Sequence, residues 1–172
     1  MAAGGILKVP LKKRNAMDDT QMMVLELGSK GYSCAQMVII GGLRLMSREN
    51  ADLVRAAAGL AQGVGCSGEI CGALSGGVCL IALHTGKGQD NEDALPEAAP
   101  LMDELVEWFR SDMCAGGGIT CDAILGVQDA GGPACRNMDA GRCGALVAQT
   151  WSKAVTLLSE KGIDPTLGRD ES

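Results

Sequence analysis

A chain of 172 residues is long enough for one domain with a real core and short for two, and its 47% apolar content includes only one Tyr, one Phe and two Trp. The core must then be built from Leu, Val, Ile, Met and Ala, the side chains of close helix packing, and no period-two run of β-branched and aromatic residues marks a strand. A net charge of −6 with scattered acidic residues argues against nucleic acid and anionic membrane as partners, and no apolar stretch is long enough to span a bilayer.

In chain order, residues 1–16 lack periodicity, carry Pro10 and the basic run from Lys8 to Arg14, and are expected to form a mobile arm. The apolar stretch ahead of that run is too short and glycine-rich for a secretion signal, so a soluble, cytoplasmic protein is expected. Asp18, Asp19 and Thr20 offer N-cap and first-turn chemistry for a helix with Met23, Val24 and Leu27 on one face, closed by Gly28 and Gly31. Ser33 caps a second helix with Cys34 in its first turn. A third is expected from near Ser47 to the glycines at 63 and 65. A fourth is expected to restart at Ser67 and Glu69 and to carry Cys71, Ser75 and Cys79 as a ridge, with Gly72 and Gly76 as a groove. After a polar loop from Thr85 to Pro96, a fifth helix from Glu97 presents Leu101, Leu105, Trp108 and Phe109. A short helix over Ile119 to Leu125 bears Cys121, and a loop carries Cys135. The last helix begins near Asp139, places Cys143 in its first turn and stops at Gly162 and Pro165. The resulting expectation is an all-α fold, a compact bundle of five to seven helices in a single domain over residues 17–162, with a loose tail over residues 163–172.

The densest signal runs from Gly63 to Cys79, which holds Cys66, Cys71, Cys79 and six glycines. Each glycine costs a helix interior roughly 1 kcal/mol relative to Ala, so such a run implies close backbone approach to a neighbour or a cofactor. Eight cysteines without an export signal are expected to stay reduced and point to metal binding or redox chemistry. No Cys-x-x-Cys occurs and His84 is the single histidine, which removes zinc-ribbon, c-type haem and common dithiol motifs. Cys66 and Cys71 have the spacing of a plant-type ferredoxin pair, but Cys79 follows too late. What remains is a dispersed set, Cys34, Cys71, Cys121 and Cys143, each at or near a helix start. Helix N-termini converging on one point would stabilise an anionic iron–sulfur cluster, with four-thiolate zinc as the non-redox competitor.

Tyr32-Ser33-Cys34-Ala35-Gln36, Ile70-Cys71-Gly72-Ala73-Leu74-Ser75-Gly76, Ile119-Thr120-Cys121 and Gly141-Arg142-Cys143 together resemble the C_GCAxxG_C_C family, to which redox activity is ascribed. The resemblance spans Asp18 to Leu158 and departs from the family name at Ile70, where the name has Gly. The family is similar to the non-haem part of split-Soret cytochromes c, which holds an iron–sulfur centre in a dimeric helical domain. The resemblance therefore implies a [2Fe–2S] cluster on Cys34, Cys71, Cys121 and Cys143, single-electron transfer to a redox partner protein, and a homodimer. It implies no haem, because Cys-x-x-Cys-His is absent. Cys66, close to Cys71 in sequence, is a further candidate ligand, and Gly72, Ser75 and Gly76 are candidate cofactor contacts. Two other classes stay open. One is a thiol–disulfide oxidoreductase with Cys71 as reactive thiolate and Cys66 or Cys121 resolving; the other is a zinc-stabilised structural module. Cys79, Cys114 and His84 read as packing residues, and no carboxylate pair reads as catalytic.

Overall fold

Small residues let the helices of this chain approach closely, and one glycine-rich helix sits at the centre of the result. The computed structural model describes residues 16–115, 117–126 and 139–169. Among the described residues seven α-helices follow in order: α1 Ala16–Ser29, α2 Cys34–Leu45, α3 Ala51–Ala57, α4 Gly72–Thr85, α5 Ala98–Trp108, α6 Cys121–Leu125 and α7 Ala140–Glu160. Among the described residues there is no strand, and the one β-type pairing is an isolated antiparallel bridge between Ile70 and Thr120. The fold is all-α, as the composition predicts.

Helix α4 packs against α2, α5 and α7. It can do so because it is apolar on every side, burying Ala73, Leu74, Leu80 and Ile81 together with three glycines. A Cβ on Gly76 would come within 3.0 Å of the Ala35 backbone in α2, and one on Gly77 within 2.6 Å of Thr150 Cγ2 in α7 and 2.9 Å of Leu105 Cδ2 in α5. The glycines thus allow three crossings that any side chain would push apart. Around them Val38, Leu101, Leu105, Phe109, Val147, Ala154, Leu157 and Leu158 complete the main core. A smaller cluster of Ile39, Leu43, Met46 and Ala57 lies on the other side of α2, and Cys79 packs against it.

The helix starts follow their caps, and where they differ from expectation the backbone gives the reason. Ser33 precedes α2, and its N–H donates to Gln36 Oε1 at 3.0 Å. Ser47 has φ 54°, so α3 waits for Asn50, whose side chain accepts from the Leu53 N–H at 2.9 Å. Helix α4 begins at Gly72, later than Ser67 or Glu69, because Gln62, Gly63, Val64, Gly65, Cys66 and Gly68 all have positive φ and Ile70 is held in the bridge. Thr120 and Asp139 cap α6 and α7 by accepting from Ala123 and Arg142 N–H groups. Helix α5 continues through a π turn over Phe109–Met113.

Nearly all of the expected N-terminal arm, residues 1–15, and Cys135 lie outside the described residues. Residues 163–169, expected to be loose, are tied back: Arg169 Nη2 donates to the Asp93 carbonyl at 2.7 Å and Gly168 is buried beside Arg48. No helix among the described residues is long and apolar enough to cross a membrane.

Candidate metal and redox centre

The isolated Ile70–Thr120 bridge is followed in each of its two segments by a cysteine, Cys71 and Cys121. Its flanking hydrogen bonds run from Cys71 N–H to the Ile119 carbonyl at 3.0 Å and from Cys121 N–H to the Glu69 carbonyl at 2.6 Å. They clamp the start of α4 beside the start of α6. Cys71 is the N-cap of α4 and Cys121 the first residue of α6, so both thiols stand where helix N–H groups are free. Cys34 is the first residue of α2 and Cys143 the fourth of α7. All four line one cavity of about 610 Å³, walled by α1, α2, α4, α6 and α7. Residues far apart in sequence are thus gathered by four helix starts.

Electrostatics report the same proximity. Cys71 is 6% exposed, and burial pushes its thiol up to about 12 against the opposing N–H groups of Ala73 and Leu74, with Cys34 and Cys121 raising it further. Burial, then Cys143 and Cys34, then Asp122, push Cys121 up to about 11. Cys143 is raised by burial, Cys34 and Asp139, with Arg142 opposing. Cys34 therefore acts on each of the other three. Without a positive centre the Cys71, Cys121 and Cys143 thiols are held toward their neutral form; with one, the Ala73 and Leu74 N–H groups would be aimed at a bound sulfur.

Glycine at position 72 is part of the geometry. It lines the cavity, and a Cβ there would overlap Cys34 Sγ and come within 2.9 Å of the Leu60 carbonyl oxygen. Gly76 and Ser75 do not line the cavity: Gly76 is the α2 crossing, and Ser75 Oγ donates to the Gly72 carbonyl of its own helix at 3.4 Å. The expected ridge of Cys71, Ser75 and Cys79 is thus divided, because Cys79 faces the smaller core. Cys66 does not line the cavity either. It is disulfide-bonded, with Sγ 3.3 Å from Gln62 Oε1, so it departs from the expectation of reduced thiols and is not available as a thiolate ligand. Cys114 packs against the main core.

Three contributors escaped the sequence reading: Gln62, Met37 and the α1 wall of Val24 and Leu25. Gln62 follows Leu60 and Ala61 in what reads as a helix tail. Only its left-handed backbone, φ 53°, turns the chain so that it lines the cavity. Met37 and Val24 carry the helical periodicity of ordinary core residues, which gives no hint that they border open space.

As they stand, no three His, Cys, Asp or Glu side chains among the described residues are gathered tightly enough for one metal ion. Four thiolates on a single zinc must all lie near 2.3 Å from one point. A polynuclear sulfur-bridged core distributes its protein ligands over several metals, and a set of thiols spread around one cavity fits that donor chemistry better.

No curated protein and no solved structure matches the chain. A family model does, over residues 32–157, the stretch that contains all four cavity cysteines. With most of its length covered by that match, the chain belongs to the family described as “putative redox-active protein (C_GCAxxG_C_C)”.

Proposed function

We propose that this protein holds an iron–sulfur cluster on Cys34, Cys71, Cys121 and Cys143 and passes single electrons to a redox partner protein. The observation that carries the reading is the convergence of these four thiols, from four different helix starts, on one cavity. A thiolate-bound iron–sulfur cluster would supply one reversible electron. The chain's own residues bury Cys71 and Cys121, half-bury Cys34 and Cys143, offer Ala73 and Leu74 N–H groups to the Cys71 sulfur, and keep charged side chains off the described wall. The [2Fe–2S] form and the homodimer are carried over from the family resemblance, and a cytoplasmic setting is part of the same proposal.

The raised Cys71 thiol weighs against the thiol–disulfide reading, which needs a thiolate at neutral pH. The spread of the thiols weighs against single zinc. Anaerobic purification tests all three. The cluster reading expects brown protein, iron and acid-labile sulfide in similar amounts, and loss of most iron in Cys34→Ala, Cys71→Ala, Cys121→Ala or Cys143→Ala but not in Cys79→Ala. Colourless protein with stoichiometric zinc, or with no metal and a reactive Cys71, would overturn it.

A further inference from the structure

The cavity is larger than a metal centre requires. With metal–sulfur bonds near 2.3 Å, a small sulfur-bridged core is roughly 5 Å across and on the order of 100 Å³. The cavity holds about 610 Å³, within the range of about 300–1,000 Å³ typical of small-molecule sites. Its wall beyond the cysteines is mainly apolar, with Val24, Leu25, Met37, Ile124, Leu146 and Val147, and also carries Gln21, Ser29, Tyr32, Ser33 and Gln62. Apolar surface left against open space forgoes the stabilisation that burial would give. No Asp, Glu, Lys, Arg or His is among the described lining residues.

Two glycines in this wall are not explained by packing. Unlike Gly72, Gly76 and Gly77, they leave room for a side chain: the nearest atom to an added Cβ is Met37 Cε at 3.8 Å for Gly28 and Val24 Cγ1 at 3.4 Å for Gly144. Both sit in helices, Gly28 in the last turn of α1 and Gly144 early in α7, where glycine is unfavourable. Alanine would fit at either position and would narrow the cavity. Helix stability and packing both favour alanine there; an open cavity favours glycine.

We propose that this cavity admits a small, uncharged, largely apolar organic molecule, seated between α1 and α7 beside the four thiols. A mainly apolar lining without charged side chains disfavours organic anions and cations, and the polar side chains of Gln21, Ser29, Tyr32, Ser33 and Gln62 can meet a polar group on the ligand. The inference goes beyond the cluster reading and shares with it only the location.

The test uses the full chain purified anaerobically, with isotope-labelled methyl groups and with iron and sulfide assayed in parallel. Indole is the neutral probe and benzoate its charged counterpart. Indole is expected to shift the Val24, Leu25, Ile124, Leu146 and Val147 methyl signals saturably at one site, and benzoate to leave them in place. The double variant Gly28→Ala/Gly144→Ala is expected to melt higher than the parent and to bind indole roughly tenfold more weakly. The absence of saturable shifts up to the solubility limit overturns the proposal. So do shifts spread over both core clusters, equal shifts with benzoate, or unchanged binding in a folded double variant. Failure of the cluster reading would appear in the iron and sulfide assay, independently of these shifts.

Discussion

At the scale of single residues, glycine and sulfur act together. Gly72 allows Cys34 Sγ and the Leu60 carbonyl to occupy the space a methyl group would take. Gly72→Ala should therefore displace Cys34 and destabilise the protein by about 1–3 kcal/mol, the usual range for overpacking, as read from urea denaturation. Gly59, with nothing within 4 Å of an added Cβ, gives the comparison, and Gly59→Ala should cost nothing. His84 is 2% exposed. Burial lowers its pKa below the ordinary 6.5, with the Leu167 backbone and Asp164 opposing and Arg48 adding to the effect. The unfolded chain therefore binds the proton more readily than the folded one. Stability should be fully present above about pH 6.5 and fall as the pH drops below it. His84→Gln should flatten that dependence in denaturation curves recorded between pH 5 and pH 8, the window in which an ordinary histidine titrates.

At the scale of elements, the connection between α3 and α4 decides where the site's sulfur goes. Five successive residues, Gln62 to Cys66, have positive φ, and three of them are not glycine. Left-handed backbone costs an L-residue roughly 1–2 kcal/mol, and a β-branched side chain is worst placed to bear it. Val64, at φ 60° and 48% exposed, has no burial to compensate. Val64→Gly should accordingly stabilise the fold by about 1 kcal/mol, less what glycine adds to the freedom of the unfolded chain, seen as a higher urea midpoint with unchanged slope. The strain is maintained by the hydrogen bonds of the same segment, including Glu69 N–H to the Gly63 carbonyl at 3.1 Å, and by the bridge that follows it. This turn and bridge set Cys71 beside Cys121.

At the scale of the whole molecule, the sulfurs belong to α2, α4, α6 and α7. Anything that binds all four sulfurs in the folded state ties those helices together and adds its binding free energy to stability. On the cluster reading, removing the metal with a chelator should thus lower the thermal midpoint by several degrees and expose the main core to hydrogen exchange, most of all around the short α6. The metal-free protein should also weaken in alkali. Cys71 and Cys121 titrate at about 12 and about 11 when folded and at an ordinary 9.0 when unfolded, so stability present below pH 9.0 is lost as the pH rises through that interval. Denaturation midpoints with and without chelator, from pH 7 to pH 11, would check the sign.

Much of this was legible in the chain. Apolar residues at helical spacing, the scarcity of rings, and caps such as Ser33, Thr120 and Asp139 determine an all-α fold locally, because helix hydrogen bonds and caps join residues within one turn of each other. The placement of Cys34, Cys71, Cys121 and Cys143 near helix starts is local for the same reason. Tertiary structure alone decided the rest. The pairing of Ile70 with Thr120, the use of Gly76 as a crossing and the position of Cys66 off the cavity wall depend on contacts between distant segments. A sequence window carries no record of which segments will meet, so the cavity beside the four sulfurs emerges only when α1, α2, α4, α6 and α7 have packed.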